Sequence, residues 1–188
     1  MGRKIVLDNC VLAWAYASVD AEDYADEKIL QAKRLIEKLD KDGDEILLPT
    51  IILFEFLSIF SEHEFEQREK LIQTLSKHIK LIEFGHECAV KSSELFRISR
   101  HPSVRTEIDE TNRTSSQRKS DIMILGQSHA NGVDCIYTGD DRFITIYTRL
   151  SQHCDVKVAP MPESEEWTIE DRGVVIPNSS SGNSVLEI

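Results

Sequence analysis

Short β-favouring runs alternate with longer stretches of helical periodicity along most of this chain, and that alternation constrains the fold more than any other feature. Lys4 to Leu7 is such a run, ending in Asp8-Asn9-Cys10. Val11 to Ala17 and Asp26 to Leu39 then carry apolar residues at helical spacing, with Ile29, Ala32, Ile36 and Leu39 on one face. Gly43 ends that helix, Glu45 to Leu48 is a second strand, and Pro49-Thr50 is placed to open a helix through Phe60. Glu64 to His78 reads as a helix with Leu71, Ile72 and Leu75 inward, Ile79 to Phe84 holds a third strand, and Glu87 to Ile98 forms another helix.

His101 to Ser120 is polar and reads as a loop or a poorly packed insertion. Beyond it, Asp121 to Asn131 is helical with Gly132 as its C′ residue, and Val133 to Tyr137 is a fourth strand ending in Thr138-Gly139-Asp140-Asp141. Arg142 to Gln152 is helical and Val156 to Val158 is a fifth strand. Repeated strand-helix units joined by right-handed crossovers predict an α/β fold, a parallel five-stranded sheet with helices on both faces. The 188 residues suit one domain with a full core, assigned to residues 1–159. From Pro160 the pattern stops. Residues 160–188 hold three prolines, an apolar-free run from Asn178 to Ser184 and, after Met161, six acids against one Arg, which reads as an acidic C-terminal extension. Within it Val174-Val175-Ile176 could still dock as an edge strand.

The balance of 33 acidic against 22 basic side chains, a net charge of −11, argues against holding nucleic acid by the overall field. Any such contact must be local or metal-assisted. Cys10, Cys88, Cys135 and Cys154 are far apart and make no Cys-x-x-Cys pair, so they read as reduced, structural thiols. The N-terminus has no signal-peptide anatomy, and the longest apolar stretch, Ile51 to Phe60 with Glu55 inside it, falls far below the ~18 residues a bilayer span needs. The expectation is a soluble cytoplasmic protein with no membrane partner.

In an open parallel sheet, ligands bind beyond the carboxyl ends of the strands where the strand order reverses. Asp8 follows Ile5-Val6-Leu7 directly and emerges at that edge, although it is equally an ordinary N-cap for the next helix. Glu55 is a lone carboxylate amid large apolar side chains, costly to bury unless paired or metal-bound. Its spacing to Ser58 and Glu62 is also that of a solvated stripe. Asp121 opens its helix on this reading, where the dipole favours an acid whatever the function. Asp140 follows the fourth strand as Asp8 follows the first, and a Gly-Asp turn explains it as well, with Asp141 as its neighbour. Each signal is weak alone, but together the acids recur in step with the α/β units.

These four segments are similar to motifs of the PIN-domain family of metal-dependent nucleases, which includes VapC-like toxins of toxin-antitoxin pairs. The resemblance lies in Ile5 to Leu12, in Leu48-Pro49 through Glu55-Phe56-Leu57, in Asp121 to Ala130 and in Thr138-Gly139-Asp140-Asp141-Arg142-Phe143, and it spans residues 3 to about 158. It implies a PIN-like sheet with an acidic pocket at the strand ends. It also implies that Asp8, Glu55, Asp121 and Asp140 are the catalytic and metal-binding quartet, Asp140 being preferred to Asp141 by the spacing from Thr138 to Phe143. The implied cofactor is Mg²⁺ or Mn²⁺, which suits an all-oxygen site in which like charges need a cation. The implied reaction is metal-assisted in-line hydrolysis of single-stranded RNA, leaving a 5′-phosphate and a 3′-hydroxyl. An antitoxin protein and a second copy of the chain, as a homodimer, are the implied partners. One departure stands out, because the family usually has Thr or Ser after the first Asp with Asn next, whereas here the pair is Asn9-Cys10 and the hydroxyl is missing.

Substrate grip has to come from outside the quartet, which repels phosphate until metal binds. Between residues 97 and 119, Arg97, Arg100, Arg105, Arg113, Arg118 and Lys119 outnumber Glu107, Asp109 and Glu110, enough to set cations beside the pocket or simply to solvate a loop. The six histidines show no pair at metal-ligand spacing. Two functions therefore stand: a metal-dependent endoribonuclease, as toxin or RNA-processing enzyme, and a catalytically weak or inactive PIN-like module for binding or assembly. A phosphatase or phosphotransfer domain is disfavoured by the lack of Asp-x-Asp after the first strand.

Overall fold

The computed structural model describes residues 2–16, 25–58, 65–109 and 114–162. Its centre is a sheet whose first strand, β1 (Lys4–Leu7), is buried on both faces, as expected of the uninterrupted apolar run Ile5-Val6-Leu7. β1 pairs in parallel with β2 (Glu45–Pro49) on one side and β4 (Cys135–Thr138) on the other. β3 (Lys80–Ile82) extends the β2 side and β5 (Lys157–Pro160) the β4 side, both parallel, giving the order β3-β2-β1-β4-β5. The chain winds outward to β3, then returns over the sheet to β4. With right-handed connections that reversal sets the earlier and later helices on opposite faces.

Eight α-helices cover the sheet among the described residues. α1 (Asn9–Tyr16) packs on α2 (Ala25–Lys41), whose Ile29, Ala32, Leu35 and Leu39 are buried. The predicted Ile36 is only partly buried and Leu35 takes the inner position. α3 (Thr50–Leu57) follows β2 at once, with Pro49 as N-cap, and α4 (Phe65–His78) leads to β3. α5 (His86–Ser99) lies against α7 (Ser115–Ala130), and α8 (Asp141–Leu150) runs into a short 3-10 turn, Ser151–His153, before β5. Gly43 and Gly132, with φ of 72° and 63°, take the left-handed conformation that ends α2 and α7. No helix of the described residues is long and apolar enough to cross a membrane. All four cysteines are free.

The polar stretch after α5 is corrected by the structure. Pro102–Asp109 is a helix, α6, and α7 begins six residues before Asp121. Pro102 sits at the first helical position, which its fixed φ favours. Thr114 caps α7, accepting from Gln117 N–H while the Gln117 side chain accepts from Thr114 N–H, a capping box that starts the helix with no apolar residue. The extension from 163 onward, including Val174-Val175-Ile176, lies outside the described residues, as does Phe60.

Candidate functional site

The strand order reverses between β1 and β4, so the crevice at their carboxyl ends is the place where this topology leaves room for a ligand. A pocket of about 370 Å³ opens there. The β1–α1 corner contributes Asp8, Asn9 and Cys10, and α3 contributes Phe54, Glu55 and Ser58. α7 adds Gln117, Ser120 and Asp121, spaced three and four apart on one face, and Asp140 comes from the end of β4. All four acids singled out in the sequence therefore line one cavity, although Asp8 and Asp140 are separated by most of the chain. Asp141 is exposed in the first turn of α8 and does not line the cavity. A larger recess of about 540 Å³ at the β2–β3 edge holds no such convergence, since its acids Asp44 and Glu45 are bonded to Arg3 and Lys80.

Asp8 is 9 % exposed and held from three sides. Its Oδ1 accepts from Asn9 N–H at 2.8 Å, and its Oδ2 accepts from the Thr138 hydroxyl at 2.6 Å and the Cys10 thiol at 3.6 Å. The two sequence readings of Asp8 thus coexist: it caps α1 and walls the pocket. Burial pushes its carboxyl above the usual carboxylate range; the bonds from Thr138, Asn9 and Cys10 pull it back, and the charge of Asp140 adds to the rise.

Thr138 is fully buried and is the residue that the sequence reading undervalued. Its hydroxyl donates to Asp8 and accepts from Asp140 N–H at 3.0 Å, so one side chain ties the ends of β1 and β4 together. The signal was present in Thr138-Gly139-Asp140, which served only to choose between two aspartates. Cys10 belongs to the same corner, its sulfur accepting from Gly139 N–H at 3.2 Å.

Asp121 is 6 % exposed and stands seventh in α7, so the explanation by a first-turn dipole does not hold. Glu55 is half-buried and lines the pocket together with the exposed Ser58, while Glu62, the third member of that stripe, lies outside the described residues. Asp140 caps α8, its Oδ1 accepting from Arg142 and Phe143 N–H at 2.8 and 3.4 Å. Among the described residues no Arg or Lys lines the pocket, and Arg113 lies outside them, so the expectation of a cationic neighbour in the 97–119 stretch finds no support in the lining.

Compared with known families, residues 5–148 match the family model for the PIN domain. The chain belongs to the PIN domain family. PIN domains are generally nucleases. No curated protein matches the chain. Among solved structures it is similar to VapBC2 from Rickettsia felis bound to a DNA fragment from their promoter, at 17 % identity and a TM-score of 0.51, covering 85 % of this chain and 99 % of that one. It is also similar to DNA-bound VapBC from Salmonella typhimurium, at 11 % identity and a TM-score of 0.54, with the same coverage of 85 % and 99 %. At these identities the likeness is one of fold.

PIN nucleases typically use divalent metal ions, and the donors of this PIN domain suit one. The pocket presents four carboxylates and the side-chain carbonyl of Asn9, whose Oδ1 is buried without a hydrogen-bond partner among the described residues. Hard divalent cations take oxygen ligands of this kind. The one soft donor, Cys10, is pushed up to about 11 chiefly by burial and stays a neutral thiol at physiological pH. Among the described residues no three His, Cys, Asp or Glu side chains stand close enough together to hold a metal ion as they are placed.

Proposed function

We propose that this PIN domain is a Mg²⁺- or Mn²⁺-dependent endoribonuclease that hydrolyses phosphodiester bonds of single-stranded RNA, with Asp8, Glu55, Asp121 and Asp140 as its catalytic centre. The observation that carries the reading is the convergence of carboxylates from β1, α3, α7 and β4 on one cavity at the switch point. Asp8, Asp121 and Asp140 would hold the cation with Glu55 as a fourth ligand. When bound, a divalent ion supplies a nucleophilic water at neutral pH and neutralises charge on the phosphate. The chain's own part is orientation. Thr138, Cys10 and the Asn9 amide fix the Asp8 carboxylate, and two amides of α8 fix Asp140. Ser58, Gln117 and Ser120 offer uncharged polar groups around the phosphate path.

The test is cleavage of end-labelled RNA by the full chain with and without Mn²⁺, beside Asp8→Asn and Asp121→Asn. Metal-dependent cleavage lost in both variants supports the reading; no cleavage of any RNA or single-stranded DNA under either metal ends it. The second reading, a binding or assembly module without turnover, draws on the Asp8 carboxylate already accepting three bonds and on Asn9-Cys10 standing where the family has a hydroxyl. RNA binding without cleavage is its signature.

An antitoxin partner, a homodimer and a cytoplasmic location belong to the same proposal. The DNA-bound VapBC structures motivate the partner, because each pairs a protein of this fold with a second component. Growth arrest on expression, relieved by a neighbouring gene product, would identify a toxin. The division into residues 1–159 and an acidic extension 160–188 is likewise proposed, and limited proteolysis near Pro162 checks it.

A further inference from the structure

Phe54 is the most exposed large apolar side chain among the described residues, at 71 %, and it stands on the lip of the acidic pocket. A large ring left in water beside convergent polar groups calls for an occupant, whereas scattered surface leucines do not. The helix that carries it is anchored. Ile52 and Phe56, two residues to either side, are both fully buried, and two positions turn roughly 200° around a helix, so the ring projects from the face opposite these anchors. The end of α3 is tied off by the Ser58 hydroxyl donating to Phe54 O at 2.7 Å.

The surroundings narrow what the ring can receive. Four carboxylates and no Arg or Lys line the pocket among the described residues, on a chain of net charge −11, so a nucleic-acid strand gains little from electrostatic grip here. Every nucleobase, however, has a π-face, and stacking on an aromatic ring provides affinity that neither needs cations nor reads sequence. Gln117, across the pocket on α7, has its Oε1 engaged by Thr114 N–H at 3.1 Å, which orients the carboxamide and leaves the Nε2 donor for a base edge or a phosphate oxygen.

We propose that Phe54 is a stacking platform for an unpaired nucleobase next to the cleaved bond, and that it, rather than a basic surface, selects single-stranded substrate. The proposal rests on the nuclease reading above and deepens it. A paired base keeps both faces inside its duplex, so the platform discriminates against double strands without contacting a backbone hydroxyl.

The experiment uses the full chain with Asp121→Asn to halt turnover, in Mg²⁺, and single-stranded RNAs each carrying one 2-aminopurine, whose fluorescence falls on stacking. Binding should quench the probe. Phe54→Ala should abolish the quench and weaken binding about 5- to 140-fold, and Phe54→Trp should restore both. In the turnover-competent chain Phe54→Ala should raise KM with kcat held, a split that a merely structural residue does not produce. Equal affinity and equal quench in Phe54→Ala overturn the stacking role while metal-dependent cleavage, measured separately, leaves the nuclease reading intact. A Phe54→Ala chain that changes its sedimentation but not its RNA affinity assigns the ring to a protein contact and likewise overturns the proposal. If the intact chain neither cleaves nor binds any single strand, both readings fall together.

Discussion

Thr138→Val removes one hydroxyl and keeps the shape of the side chain, so its effect isolates the tie between β1 and β4. Thr138 is fully buried, donates to Asp8 Oδ2 at 2.6 Å and accepts from Asp140 N–H at 3.0 Å. A bond to a charged acceptor contributes ~1.5–3 kcal/mol and an orphaned, half-buried amide adds ~1, so the loss should be about 3 kcal/mol. For a chain of this length that lowers Tm by about 9 °C. Thr138→Ser keeps the hydroxyl and gives up a methyl group, costing about 1 kcal/mol and about 3 °C. The pH dependence has a definite sign. Burial holds the Asp8 carboxyl above its usual range and Thr138 pulls it down, so the Val variant should carry it higher still. The Val deficit is therefore largest at neutral pH, where Asp8 is ionised, and shrinks as acid protonates it and only a neutral acceptor is lost. Thermal unfolding followed by circular dichroism between pH 8 and 5, without metal, reads both effects. Equal Tm losses for Val and Ser, or a Val deficit that grows on acidification, would refute the reasoning.

Gly126→Ala would place a Cβ 2.6 Å from the Ser92 backbone, where α5 and α7 touch; the ~1 kcal/mol gained in helix propensity is outweighed by an overpacking cost of ~1–3 kcal/mol, so Tm should fall, and an unchanged or higher Tm counts against that close approach. Asp8→Asn should raise Tm at pH 8 in metal-free buffer. The native carboxyl lies above its unfolded value, so its favourable contribution is fully present below the ordinary carboxylate range and is lost as pH rises through the raised value; a gap that widens toward acid would contradict this. Mn²⁺ at ten times its Kd should stabilise the wild type by about 1.4 kcal/mol, and Asp121→Asn should lose that increment in the same unfolding assay. An equal gain in both chains would place the cation elsewhere.

The sheet was legible because its central strands β1, β2 and β4 are compact apolar runs, and buried parallel strands have few other solutions, whereas the edge strand read at Val156 to Val158 lies at Lys157–Pro160. Asp8 and Asp140 were legible for the same reason, as the first acids after such runs. Where the reading failed, the helices owe their start to capping rather than to apolar periodicity. Pro102 and the Thr114–Gln117 box are local devices that a search for a hydrophobic stripe passes over. The misplaced start of α7 in turn misassigned Asp121 to a first turn and hid Gln117 and Ser120, which share its face. Phe54 could not be singled out within Ile51 to Leu57, because a run this apolar does not say which side faces the cavity. Thr138 could not be weighed without knowing that β4 lies beside β1, a neighbour relation separated by 130 positions.

That separation also dictates when in its life the protein acquires a site. The Asp8–Thr138 bond exists only after β1 has paired with β4, so a nascent or truncated chain ending before Thr138 carries three of the four acids and no cavity to put them in. Such a distant pairing closes a long loop and is among the slower steps a small domain can take. The same step brings mutually repelling carboxylates together, so a divalent cation that relieves the repulsion should shorten it. The pocket is therefore a property of the completed sheet and of no shorter piece of the chain.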